Sequence, residues 1–190
     1  QSDGSVSVGV SSAGENSRGV FEIANSGSFT MSGGTLTVVR AQSSPSIAAL
    51  FLQPGSFSIS GGTVQIGDDS NTPSSETMLV NATAPLNNLI INSTNSPTAR
   101  LTIHGLTVNN DVTIESGATL DANSLDMTIK GDMTNSGTFT SGTNTVTFNS
   151  TSSDQVITGN TSFNNLAINN QSSGGEVAIS NSSNFTINAD

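Results

Sequence analysis

The chain has 190 residues, a formal net charge of −10, and four basic side chains, Arg18, Arg40, Arg100 and Lys130, scattered along it. Neutralising phosphates takes several clustered Lys or Arg, so the composition argues against nucleic acid as a partner. With no Cys and no apolar run near the roughly 20 residues that span a bilayer, disulfides, thiolate metal sites and membrane insertion as a helix are excluded too.

Short bursts of period-two alternation run along the chain. In order they are Phe21-Glu22-Ile23, Leu36-Thr37-Val38, Val64-Gln65-Ile66, Leu89-Ile90-Ile91, Leu101-Thr102-Ile103, Leu106-Thr107-Val108, Val112-Thr113-Ile114, Leu125 to Ile129, Val146-Thr147-Phe148, Leu166-Ala167-Ile168, Val177-Ala178-Ile179 and Phe185-Thr186-Ile187. Each sends two or three apolar side chains to one face and mostly Thr, Ser, Asn or acid to the other, which predicts short strands with one wet face. Helical spacing is absent, and Gly or Asn interrupts almost every window long enough for a helix. Between the bursts lie turn residues such as Asn25-Ser26-Gly27, Gly33-Gly34, Gly61-Gly62, Asn135-Ser136-Gly137 and Gly174-Gly175.

The chain also repeats itself. Gly27 to Leu36 returns as Gly55 to Val64, an offset of 55 − 27 = 28 in the numbering, with a looser copy from Gly137 to Phe148. Leu86-Asn87-Asn88-Leu89-Ile90-Ile91-Asn92 returns as Phe163-Asn164-Asn165-Leu166-Ala167-Ile168-Asn169, an offset of 163 − 86 = 77. A sandwich, a barrel and a coil of strands all fit short, evenly spaced strands. Repetition favours the coil, because a single turn cannot bury enough apolar surface alone and gains stability only by stacking on like turns. The expected fold is a right-handed parallel β-helix of about seven to eight coils and roughly 35 to 40 Å in length. It reads as one segment: N-terminal coils over residues 1–76, a 77-residue unit over 77–153, and the start of the next unit over 154–190. Equivalent strands are expected to face the same neighbours in successive coils. That stacks Phe29 on Phe57 and Val38 on Ile66, and puts Leu89, Ile91, Phe139, Phe148, Leu166 and Ile168 in the core. Aligned on the heptads, the chain stops in mid-repeat, so a longer protein or an end-to-end assembly of copies is expected.

Leu86 to Asn92, Gly131-Asp132-Met133-Thr134-Asn135-Ser136-Gly137-Thr138-Phe139-Thr140, Thr145 to Asn149 and Phe163 to Asn169 resemble the large, repetitive, β-helical surface proteins of the adhesin type found among substrates of the type IX secretion system. The resemblance covers residues 77 to 190, and more weakly 19 to 66. It implies export, display at the cell surface or secretion, and a stalk or adhesive role.

Candidate chemistry is sparse. His104, the single histidine, falls at a strand end or corner with no Cys or second His to join it, so a structural or solvent-facing role is expected. Asp68-Asp69 is a weak Ca²⁺ candidate in a loop, and Asp121, Asp126 and Asp132 near Lys130 form an acid-rich stretch; solvated charge is the simpler reading of both. A polysaccharide-degrading site would need convergent carboxylates, and sugar stacking lacks Trp and Tyr. The Asn-x-Ser/Thr sequons match what a chain so rich in these residues produces by chance. An ice-binding solenoid would need a regular Thr ladder; Thr35-Leu36-Thr37 and Thr145-Val146-Thr147 fit, but Thr63-Val64-Gln65 breaks the file. The expected function is therefore a non-catalytic extracellular segment without a cofactor, whose partners are copies of itself, further repeats, or surface glycans. A polysaccharide-binding or -degrading β-helix is the alternative.

Overall fold

The computed structural model describes residues 3–9, 19–92, 95–180 and 183–188. Ala189 and Asp190, the last residues of the unit read as truncated, lie outside them. No α-helix occurs among the described residues. The N-terminal turns contain β1 (Ser5–Val8), β2 (Phe21–Ile23), β3 (Ser28–Val38), β4 (Leu50–Leu52) and β5 (Ser56–Ile66). The middle holds β6 (Thr77–Ala82), β7 (Asn88–Ile91), β8 (Thr98–Leu101), β9 (Leu106–Val108), β10 (Val112–Ile114), β11 (Thr119–Asp121) and β12 (Met127–Ile129). The C-terminal turns contain β13 (Met133–Asn135), β14 (Thr138–Thr140), β15 (Thr145–Phe148), β16 (Gln155–Gly159), β17 (Thr161–Phe163), β18 (Asn165–Ile168), β19 (Val177–Ile179) and β20 (Phe185–Ile187).

Each strand pairs in parallel with strands one turn before and after it. A first face is the eight-stranded ladder β1-β3-β5-β7-β10-β13-β16-β19. A second is β2-β4-β6-β8-β11-β14, continued by the β17–β20 pair, and a third is β9-β12-β15-β18. The protein is a parallel β-helix. On the first face the chain separation of register partners falls from 35 − 5 = 30 (Ser5↔Thr35) through 63 − 35 = 28 (Thr35↔Thr63) to 133 − 112 = 21 (Val112↔Met133) and is 157 − 133 = 24 at Met133↔Ile157, so the N-terminal turns are the longest.

Inward side chains form continuous files. On the first face Leu36, Val64, Leu89, Val112, Met133 and Ile157 stack in register, and Val38, Ile66, Ile91 and Ile114 stack beside them. All ten are buried. Near the C-terminal end the filling becomes aromatic: Phe163, fully enclosed, packs on Phe139 at 5.7 Å, Phe148 at 6.2 Å and Phe185 at 5.4 Å between ring centroids. Two positions demand glycine, the irregularity within β5 and the end of β16. Gly62 has φ +89°, and a Cβ there would sit 2.6 Å from Met31 Cε; Gly159 has φ +91°, and its Cβ would collide with the Asn135 carbonyl oxygen.

Several expectations need correcting. The Cα register does pair Phe29 with Phe57 and Val38 with Ile66. Yet Phe57 is 52% exposed, while Phe29 is buried and packs its ring on Phe21 at 6.3 Å instead. The cause is the next turn: β7 covers β5 only over Thr63 to Ile66, and the chain cuts across from β6 to β7, leaving the outer half of β5 without a strand above it. Ile168 is also exposed and Leu166 only partly buried, because β18 is the last strand of its sheet. Leu101-Thr102-Ile103 does not continue as a strand; β8 ends at Leu101, and Ile103 turns outward.

The 77-residue repeat does not return to the same neighbours either. Asn88 to Ile91 forms β7 on the first face, whereas its copy, Asn165 to Ile168, forms β18 on the third. Leu86 bridges to Val108 of the third face, while Phe163 lies in β17. Counting the strand positions from β6 to β16, with Leu86 as one, gives eleven steps, so the offset divides as 77/11 = 7 for each step. Three steps make a turn, and the offset is therefore three and two-thirds turns. The unit that recurs is a strand plus its corner, because all three faces ask for the same apolar–polar–apolar pattern.

Candidate functional site

Aspartates and asparagines are the most consistently placed polar residues, and they tie turns together. The Asp111 amide donates to Asn88 Oδ1 (3.3 Å), the Asp132 amide to Asp111 Oδ1 (2.9 Å), and the Val156 amide to Asp132 Oδ1 (2.8 Å). These latches occupy the corner before the first face. At the corner before the third face, Asp126 Oδ1 accepts from the Thr145 amide at 2.8 Å. Asp121 lies on the second face, where Arg100 Nε reaches its carboxylate at 3.2 Å. Asp121, Asp126 and Asp132, close together in sequence, thus stand on three different sides of the rod, with Lys130 exposed. The structure does not bring them together.

Asp68 closes its own loop. Its carboxylate accepts the Asn71 side chain at 2.7 Å and the backbone amides of Ser70, Asn71 and Thr72. Partial burial raises its pKa, but these hydrogen bonds outweigh it, and the group titrates below the ordinary 3.8. Oxygens already receiving N–H donors are turned away from a cation. Asp69 is exposed beside it, and no group of three His, Cys, Asp or Glu poised for a metal occurs among the described residues.

His104 sits in the corner between β8 and β9. Its Nδ1 lies 2.9 Å from Asn81 Oδ1, which also accepts Gln53 Nε2 at 2.9 Å. The same Nδ1 lies 3.3 Å from Gln53 Nε2, so the three side chains form one hydrogen-bonded cluster. Gln53, Asn81 and His104 come from successive turns, and Asn81 is buried, so the imidazole is a corner brace. Just before it Ile103 has φ +70° and the His104 amide donates to Thr102 O at 2.9 Å, a γ-turn that leaves Ile103 72% exposed.

Outward threonines also form files. Thr77, Thr98, Thr119 and Thr138 are in register on the second face, and Thr107, Thr128 and Thr147 on the third. Beside the first file run Leu79, Arg100, Asp121 and Thr140, so the ladder is one threonine wide. On the first face Thr37 faces Gln65, as the sequence indicates.

A concave surface lies on the second face, where the 41–47 loop overhangs β6 and β8. An open cleft of about 440 Å³ is walled by Gln42, Pro45, Ile47, Glu76, Leu79 and Arg100 among others. A smaller hollow of about 270 Å³ shares Ile47 and continues past Phe51 and Asn81 to Ile103, with Glu22 at its wall. Glu76 Oε2 is buried without a hydrogen-bond partner. Comparison with family models, curated proteins and solved structures gave no match. Nothing in the sequence announced this cleft: Glu76 and Arg100 are distant along the chain and meet because Leu79 and Arg100 are register partners. The signal available in retrospect is that Arg100 is a charged residue inside a strand of otherwise apolar and hydroxyl side chains.

Proposed function

We propose that this chain is a non-catalytic, extracellular structural segment, a stalk, spacer or adhesive surface of stacked β-coils. The observation that carries the reading is the eight-strand parallel ladder of the first face, tied by the latches Asn88, Asp111 and Asp132. Such a body lengthens by stacking turn on turn, which is what a spacer requires. The wet surface of Thr, Ser and Asn, with charged residues held to 9%, suits display in a crowded exterior. Ile168, Ile179 and Ile187 take inward-facing positions in register with Phe148, Ile157 and Phe163, yet are about half exposed at 51%, 43% and 49%. This apolar end face offers a surface on which a copy of the chain would stack end to end into a filament. The rival, a polysaccharide-binding or -degrading β-helix, is favoured by the cleft under the 41–47 loop.

Protease shaving and antibody labelling of intact source cells test the reading: the segment is expected to be accessible from outside and its removal to shorten or abolish attachment. Protection of the segment inside intact cells, or release of reducing ends when the purified chain meets a polysaccharide, would overturn it.

A further inference from the structure

We propose that the cleft beneath the 41–47 loop binds a saccharide unit, with Glu76 as the acceptor that holds it. This joins the polysaccharide-binding half of the rival reading to the adhesive surface proposed above, without catalysis, and rests on that adhesive reading. Three features converge there. First, Glu76 lines the cleft and its Oε2 is buried without a hydrogen-bond partner, so the carboxylate is an unmet acceptor at the cleft wall for a ligand hydroxyl. Second, Arg100 supplies donors from the adjacent strand β8, its guanidinium held by Asp121 at 3.2 Å and by Asn123 Oδ1 at 2.9 Å while its side chain stays 47% exposed. Third, Pro45, Ile47 and Leu79 furnish an apolar wall. A carboxylate, a guanidinium and an aliphatic surface in about 440 Å³ match the hydroxyl rim and C–H face of a sugar ring. An aliphatic wall takes the part that the absent Trp and Tyr would play. An organic cation would satisfy Glu76 but would also meet the positive charge of Arg100, and a metal ion finds no set of three ligating side chains among the described residues.

Saturation-transfer NMR on the whole chain tests this with the methyl glycosides of glucose, galactose, mannose, N-acetylglucosamine and glucuronic acid, and with n-butylammonium as the competing class. At least one glycoside is expected to show transfer to its ring C–H protons. Glu76→Ala and Ile47→Ser should each weaken that binding by at least about fivefold, while Phe57→Ala, a substitution outside the lining of the cleft, leaves it unchanged. Glu76→Gln, which keeps the shape and one acceptor oxygen, should fall between. Circular dichroism of each variant verifies the fold. No transfer from any glycoside, binding that survives Glu76→Ala, or Glu76-dependent binding of n-butylammonium in place of the sugars would overturn the proposal. Surface accessibility on cells, which decides the spacer reading, is independent of all these outcomes.

Discussion

Gln155 offers the sharpest test of how the turns are joined. Its side chain is fully buried at the start of β16 and makes four hydrogen bonds: Nε2 donates to Ile129 O (3.1 Å) and Gly131 O (2.6 Å), and Oε1 accepts from the Ser150 amide (3.0 Å) and Asn170 Nδ2 (3.3 Å). Gln155→Leu removes all four. The Ile129 carbonyl keeps the Asn149 amide at 3.0 Å, so the groups stranded in the interior are Gly131 O and Ser150 N. At about 1–3 kcal/mol for each stranded group, partly offset by burial of the leucine, the cost is about 3 kcal/mol. In a chain of this length about 1 kcal/mol moves Tm by roughly 2–4 °C, so thermal unfolding followed by circular dichroism should fall by roughly 6–12 °C. Gln155→Glu discriminates further, because a carboxylate there faces two carbonyl oxygens and has no donor to give them. Burial raises its pKa, and protonation restores one donor, so this variant should recover stability as pH falls from neutral toward about 5. A Gln155→Leu protein within about 1 kcal/mol of the parent, or a Gln155→Glu protein indifferent to pH, would refute the reasoning.

Phe29→Ala is expected to cost about 3–5 kcal/mol, and Phe57→Ala less than about 1, although the two residues are register partners; urea unfolding of both variants gives the comparison, and equal losses would show that Phe57 is enclosed. Asp132→Ala should speed amide exchange at Val156, whereas Asp132→Asn, which keeps the accepting oxygen, should leave it nearly unchanged. The Asp68 carboxyl should titrate below 3.8 by NMR. Its lowered folded pKa means that its contribution to loop order is present above 3.8 and disappears as pH falls through the folded value; a midpoint above 3.8 contradicts the hydrogen-bond assignment.

The β-helix was legible because its demands are local and repeated. Leu36-Thr37-Val38 and Val64-Gln65-Ile66 alternate, the Gly33-Gly34 and Gly61-Gly62 pairs recur, and the shared offset carries one onto the other, so pattern alone placed Val38 over Ile66. Strands with a single apolar residue, such as Thr119-Leu120-Asp121, escaped a reading based on alternation. Phe57 escaped for a different reason. Its alternation is that of Phe29, but burial depends on whether the following turn passes over it, and that turn takes a shorter path and meets β5 only from Thr63 onward.

Chemistry divides along the same line. Sequence by itself determined that the chain is all-β, that it coils, and that its acids do not form one regular metal loop, since composition and period-two patterning act through neighbouring residues. Which face each strand occupies was decided only by tertiary structure: the even step from strand to strand, taken three to a turn, puts the two copies of the heptad on different sides. That same winding spreads Asp121, Asp126 and Asp132 around the rod and brings Glu76, Arg100 and the 41–47 loop into one cleft. Stacking distance, not separation along the chain, sets who meets whom, and stacking is a property of the closed coil.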